Sequence, residues 1–417
     1  MSDPHRTPDR EPHDPRSAGR LKVLDTIRQA SAIARIDISK HTGLSPATVT
    51  ALTAELLQAG LIEPVASIAD ISSAKRGRPR AALKLRAASK LIAGIKVGKE
   101  VITVLLLDFE GREIGHDECP LPASSLSADD LCGRIVKAAA QACSKHGYAP
   151  NDLSGMGIGL AGQVNGSDGF VHWSSSLGER NVPLATALAG RAPCPVFIEN
   201  DANLVAKAEQ LFGEGRGVAD FVVVTIEHGI GMGIVINGKL YRGARGCGAE
   251  FGHTKVARNG EACQCGQLGC LEAYTGEYAL VKLGKAAGVA PCTDIDTLIA
   301  ACKTGDPALT DALTPARQFF ALGLANLINL FDPELLILAS KNGADHPLCA
   351  AAVLADLRDL VLKVDTPMPR ISLHGWGDLM WAKGAAAYGL ERVTALAVRQ
   401  IGNDAPDRQT AASRNAG

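Results

Sequence analysis

From about residue 91 the chain runs through one rhythm twice. "LIAGIKVGKEVITVLLLDFEG" reads as two apolar strands joined by a tight turn. A helix is predicted at about 127–146, then strands in "MGIGLAGQVNG" and "CPVFIEND", then the helix "ANLVAKAEQLF". The second half repeats the pattern. It has "FVVVTIEHGIGMGIVING", long helices at about 309–330, the strand "ELLILA" and a closing helix at about 379–396. Strands that alternate with helices make an α/β domain whose sheets are largely covered. Two similar halves predict two lobes around a cleft, and no short-period repeat is present.

The 417 residues are too many for one core. Hydrophobic residues make up 46% and charged residues 21%, as in globular domains. No apolar run reaches the ~18 residues of a membrane span. "MSDPHRTPDREPHDPRSAGR" lacks the apolar core of a signal peptide, so residues 1–19 are expected to be a disordered tail of a cytoplasmic protein. Residues 401–417 read the same way.

Net charge is −1, but residues 1–90 hold 15 Lys and Arg against 9 Asp and Glu. A basic front on an acidic body suggests an anionic polymer as partner of the front alone; a solvated linker is the plainer alternative. Residues 20–87 read as a winged helix-turn-helix. Leu21, Val23, Leu24 and Ile27 form one helical stripe. A short helix fits "ARIDISKHT", with Ile36 and Ile38 facing inward, and Gly43 permits the turn. Ser45 is a natural N-cap with Pro46 in the first helical position. The next helix buries Val49, Leu52, Leu56 and Leu57. Its outward Ser45, Ala47, Thr48, Thr50 and Ala51 are small enough to enter a major groove. "LIEPVA" and "AALKLRA" alternate like a hairpin, with Arg76, Arg78 and Arg80 near its tip for phosphates or the minor groove. A helical bundle with a basic loop would share each element singly. The ordered set favours binding to double-stranded DNA.

Of eleven cysteines, most are scattered in Ala-rich or apolar surroundings and read as small buried hydrophobes. Cys263, Cys265 and Cys270 cluster in "ACQCGQLGC", with His253 ten residues before the first. A Cys3His set is a closed tetrahedral shell for one structural zinc, and Gly266 and Gly269 let the loop fold tightly. A redox pair is the competing reading, but the strand–helix setting of thioredoxin-like motifs is missing.

"GARGCGAEFGHTKVARNGEACQCGQLGCLEAYTG", residues 243–276, resembles the signature of the ROK family of repressors, open reading frames and sugar kinases. "TGLSPATVTALTAELLQAGLIEP" followed by "RGRP" is similar to the winged-helix regulators of that family. The resemblance covers about 20–400. It implies a two-lobed actin-like, ribonuclease-H-like ATPase fold over 88–400, with a zinc loop at 253–270.

The resemblance also implies a split site. Family kinases hold ATP with an Asp-x-Gly-x-Thr turn on the first hairpin. Here "KVGKE" puts Lys96 at the Asp position and Glu100 at the Thr position, with Gly98 kept. "LLILAS" has Ala339 and Ser340 where paired glycines usually stand, and the glycines of "HGIGMGI" also suit a plain hairpin. The sugar side matches: "ENDAN" would place Asn200 on a hydroxyl and Asp201 at the base position of a kinase, with Glu250, His253 and Glu272 at sugar-contacting positions. The plainer alternative is that Asp201 and Asn203 only cap the following helix. Ser176 and Glu179 depart from the usual Asn and aromatic residue.

The expectation is a sugar-responsive repressor that binds operator DNA as a homodimer or homotetramer and has no catalytic activity. The rivals are a ROK sugar kinase with a DNA-binding extension, and a ligand-independent DNA-binding protein whose body oligomerises or docks a partner.

Overall fold

The computed structural model describes residues 14–403, apart from 66–81 and the single positions 123, 364, 366 and 376. The expected tails therefore lie mostly outside the described residues, and so do Arg76, Arg78 and Arg80. Both tail boundaries shift where they can be seen. Helix α1 (Pro15–Ala30) starts inside the expected 1–19 tail. Asp14 caps it, accepting from Arg16 N at 3.0 Å and Ser17 N at 3.1 Å, with Pro15 in the first position. Arg20 is buried and pairs with Glu55 at 2.8 Å, which ties this first turn down. At the other end, the last helix, expected at about 379–396, continues to Asn403, into the expected 401–417 tail.

The front unit adds α2 (Arg35–Thr42), α3 (Pro46–Gln58) and a three-stranded sheet. Its strands are β1 (Ile33–Ala34), β2 (Ile62–Val65) and β3 (Ala82–Leu85), in the order β1-β3-β2. Val23, Leu24, Ile27, Ile38, Val49, Leu52 and Leu56 are its core. The inward expectation for Ile36 is wrong: it is 43% exposed. Helical residues turn about 100° each, so Ile36 lies some 200° from Ile38, while Thr42, four on from Ile38, is buried beside it.

The body is the expected duplicated α/β fold. Lobe one holds β4 (Leu91–Val97), β5 (Val101–Leu107), β6 (Glu113–Pro120), α4 (Ala128–Lys145), β7 (Leu153–Leu160), β8 (Gly162–Asn165), β9 (Phe170–Ser174), α5 (Leu184–Ala189), β10 (Val196–Asn200) and α6 (Asp201–Phe212). Lobe two holds β11 (Phe221–Ile226), β12 (Ile230–Ile236), β13 (Lys239–Tyr241), α7 (Glu272–Thr275), α8 (Glu277–Ala286), α9 (Ile295–Cys302), α10 (Pro307–Phe331), β14 (Leu335–Ser340), α11 (Ala351–Leu360), β15 (Arg370–Gly375) and α12 (Met380–Asn403). The two main sheets run β10-β7-β4-β5-β6 and β13-β12-β11-β14-β15. Each is an antiparallel meander whose first strand also pairs in parallel with the fourth, and the fourth with the fifth. Each lobe has its own apolar core.

Two helices join the lobes. α12, the last element of lobe two, packs on β4 and β7 of lobe one, while α6 of lobe one packs on β11 and β12 of lobe two; α6 and α12 also pack on each other. The approach is too close for a side chain: a Cβ on Gly157 of β7 would lie 1.8 Å from the Ala385 carbonyl oxygen of α12. Gly157→Ala should therefore destabilise the chain by at least about 1–3 kcal/mol in urea unfolding, because backbone must move. An unchanged midpoint would contradict this packing.

Candidate functional site: a carboxylate cleft beside a Cys3His loop

The loop between β13 and α7 brings His253, Cys263, Cys265 and Cys270 together. One ligand atom from each lies within 4.8 Å of all the others. Cys265 and Cys270 sulfurs are 3.7 Å apart, and His253 Nδ1 is 3.7 Å from Cys263 Sγ. Tetrahedral zinc with Zn–S near 2.3 Å separates two sulfurs by about 3.8 Å, so the set fits that ion. The folding of the loop is local. Cys263 N donates to the Gln267 carbonyl at 2.8 Å, and Gly269 takes φ 71° where a Cβ would meet the Ala257 carbonyl.

This loop adjoins the sugar-side residues. Glu272 opens α7, with Oε2 accepting from Ile230 N at 3.2 Å and Oε1 3.6 Å from Cys263 Sγ. Glu250 is pushed up from its ordinary range by partial removal from water; His253 pulls it back, and Asp201 and Glu272 push it further. Asp201, His253 and Glu272 are thus the charged neighbours of Glu250. Asp201 is the first residue of α6. Burial raises its carboxyl, opposed by the Ala202 N–H and by Lys96.

The capping alternative holds for a different residue. Asn200 is the N-cap of α6: its Oδ1 accepts from Ala202 N at 2.9 Å and Asn203 N at 3.3 Å, and its Nδ2 donates to the Gly162 carbonyl at 2.8 Å. Its carbonyl oxygen is thus committed to the backbone. Asn203 is buried and donates to Glu199 at 3.0 Å. Glu179 turns away to accept from Ala128 N at the start of α4, while Ser176 Oγ reaches the Gly98 carbonyl beside the β4–β5 turn.

Sequence reasoning missed three members of the site. Glu199, fully buried, pairs with Arg242 at 2.6 Å and so ties the lobes together. Glu227 lies just past the end of β11, and burial pushes its carboxyl up to about 8, with Lys96 opposing. Glu277 is raised to about 7, again chiefly by burial. For Glu227 the signal was a carboxylate within an apolar and glycine-rich run, "TIEHGIG", and Glu199 opens the "ENDAN" motif itself. Lys96 itself lies 3.8 Å from the Trp381 ring centroid. A carboxyl with a raised folded pKa binds more protons folded than unfolded above the unfolded value. Its penalty is absent at low pH and grows as pH rises towards the folded value. Glu227→Gln should therefore gain stability over the parent as pH climbs from 5 to 9. Parallel melting curves across that range would count against a buried acidic Glu227.

Two ribonuclease-H-like lobes around a carboxylate-lined cleft, behind a winged helix-turn-helix, define a DNA-binding chain on a sugar-kinase-like body. The profile described as "ROK family" matches residues 92–391, and "MarR family" matches residues 17–69. The chain belongs to the ROK family. It is 31% identical to the xylose repressor of Caldicellulosiruptor bescii over 77% of this chain and 82% of that one. It is 28% identical to the DNA-binding transcriptional dual regulator NagC of Escherichia coli, over 76% and 79%. Among solved structures, a ROK family transcriptional regulator described as a homolog of the E. coli MLC protein superposes with TM-score 0.78 at 25% identity, covering 93% of this chain and 99% of that one. A ROK family glucokinase from Streptomyces griseus, in complex with glucose and AMPPNP, gives 0.62 at 29% identity, over 72% and 99%. No helix among the described residues is long and apolar enough to cross a membrane.

Proposed function

We propose that the chain is a sugar-responsive transcriptional repressor of the cytoplasm, with a body that binds sugar and does not phosphorylate it. One observation carries the reading: the winged helix packs directly on α12, and α12 packs on α6, the helix that starts at the sugar-side Asp201. Val23, Leu24 and Ile27 of α1 share a core with Ile92, Phe109, Leu390, Val393 and Val398, the last three on α12. α12 in turn packs on α6, whose first residue is Asp201. A sugar that binds one arrangement of these helices more tightly than another shifts how the DNA-binding unit is held.

The DNA side is supported by exposure. Ser45, Ala47, Thr48 and Thr50 all face solvent at the start of α3. Ser45 caps the helix through Thr48 N at 3.1 Å, and Thr50 Oγ1 donates to the Pro46 carbonyl at 2.8 Å. Arg76, Arg78 and Arg80 are assigned to phosphates or the minor groove from the sequence alone. A two-fold operator would be met by a homodimer or homotetramer.

Loss of phosphoryl transfer is supported by charge. Lys96 stands at the position of the metal-side carboxylate, and Ser340, ending β14, is buried with its hydroxyl on the Gly343 carbonyl. Glu227 and Asp201 both feel the Lys96 ammonium, so an internal cation faces the carboxylates where a kinase needs a bound metal. His253, Cys263, Cys265 and Cys270 would hold zinc, whose closed shell supplies structural order and no reaction. His253 then has Nδ1 for the metal and Nε2 for a sugar hydroxyl.

The test is operator binding. Full-length protein should prefer its own promoter region over random DNA. Thr48→Ala or Thr50→Ala should change the sequence preference, whereas Arg78→Ala should weaken all sequences and lower the salt slope by about one. Absence of any preference would remove the regulator reading.

A further inference from the structure

Glu199, near the end of β10, has a fully buried side chain with both carboxylate oxygens in use. Oε1 accepts from Asn200 N at 2.9 Å and from Asn203 Nδ2 at 3.0 Å, which holds the first turn of α6. Oε2 accepts from Arg242 Nε at 2.6 Å, across the boundary to lobe two. Asp201 stands between the two anchored residues of α6. Arg242 follows β13 and opens the loop 243–250, which ends at Glu250. One buried carboxylate therefore grips the backbone under two sugar-side carboxylates, one from each lobe.

Three further contacts converge on the same point. Gly166, just after β8, lies so close that a Cβ on it would be 2.3 Å from Glu199 Oε2. Gly246, at φ 75°, lays the 243–250 loop onto Asn165, where a Cβ would be 2.8 Å from Asn165 Cα. Tyr388 of α12, also buried, donates to the Gly166 carbonyl at 3.2 Å, and its ring centroid lies 5.7 Å from the Arg242 guanidinium carbon. Further along α12, Leu390 and Val393 enter the core shared with α1. A buried ion pair gains little stability once its desolvation is subtracted, and apolar residues of similar volume would join the lobes at less cost. What the pair supplies is direction, because a planar guanidinium meets a carboxylate in a fixed geometry.

We propose that Glu199 and Arg242 are positioning residues of the sugar site, whose bond sets the spacing of Asp201 in one lobe from Glu250 in the other, and that Tyr388 hands this spacing to α12. A sugar that changes the spacing then moves Arg242 against Glu199 and Tyr388, and so reaches the helix under the DNA-binding unit. The effect on sugar rests on the proposed sugar-binding reading; the placement of the loop and of α12 does not.

The experiment uses the full chain and has two readouts. Amide hydrogen exchange, without sugar or DNA, compares the parent with Glu199→Gln, Arg242→Gln, their double variant and Arg242→Lys. Each glutamine variant should speed exchange about tenfold or more in 243–250 and 384–392, since a charged hydrogen bond is lost. The double variant should add little to either single one, because both remove the same interaction. Arg242→Lys keeps the charge and loses the fork, so it should keep the parent's melting temperature but only part of its protection in the two segments. Unchanged exchange there overturns the proposal. So does faster exchange spread evenly over both lobes, the pattern of a general loss of stability, and so does full protection with lysine, which would mean that the pair only neutralises charge. The second readout is the melting shift with D-xylose and D-glucose, the sugars named for two similar proteins. A sugar that stabilises the parent should bind Arg242→Gln about tenfold or more weakly, although Asp201 and Glu250 are untouched. Unchanged sugar affinity in that variant overturns the proposal. No shift of the parent by either sugar counts against the sugar reading instead, and the exchange pattern then decides the positioning claim by itself.

Discussion

Cys265→Ser should release about one zinc per chain and cost several kcal/mol of stability, because structural zinc binding is folding free energy. Cys265 is the informative position. It is the exposed cysteine of the set, while Cys263 and Cys270 are buried, so its replacement removes a ligand without opening the core. Elemental analysis of protein purified without added metal should find the ion in the parent and little in the variant. The loss should also reach the cleft. His253 is both a member of the Cys3His set and the neighbour that favours the charged form of Glu250. Glu272 lies against Cys263 and holds the Ile230 N–H. Sugar response and metal content should fall together. Folded, sugar-responsive protein with near-zero zinc would sink the assignment.

Asp201→Ala should abolish the sugar-induced change in operator affinity and leave ligand-free DNA binding near normal. The side chain suits this test because its bonds are to its immediate neighbours: Oδ1 accepts from the adjacent Ala202 N at 2.9 Å, and the cap of α6 is Asn200. Asn200 suits it poorly. As the N-cap with three backbone bonds, its loss would cost about 1–2 kcal/mol of stability and confuse the readout. The parent should show no turnover with Mg·ATP and a common hexose beyond the Asp201→Ala control. On the proposed reading, Lys96 at the position of the metal-side carboxylate cannot hold Mg²⁺, and Glu100 opposes the anion that Lys96 would attract. Turnover above that control would promote the kinase reading.

Much of this protein could be read from local pattern. The helix starts at Ser45–Pro46 and the strands and helices of both lobes follow from capping chemistry and periodicity, which act over a few residues. Even the early start of α1 was written in Asp14–Pro15, a cap followed by a first-turn proline. The Cys3His set was legible because its spacing is short and the ion accepts few donor sets.

What depended on distance in the fold was not legible. That Glu227 would face Lys96, or that Glu199 would find Arg242, depends on how the lobes meet. The exchange of α6 and α12 between lobes was decided by glycines such as Gly157, which mean nothing until a helix backbone arrives beside them. That Asn200 caps α6, rather than Asp201 or Asn203 as the plainer alternative had it, shows only in the fold, where its Oδ1 meets the Ala202 and Asn203 N–H groups. The docking of α1 on α12 joins residues more than 350 positions apart, as in Arg28 on Thr394. Periodicity and capping are short-range and repeat along a chain. A buried charge pair or a shared core costs or gains free energy only where the complete fold has excluded water, so no local window contains it.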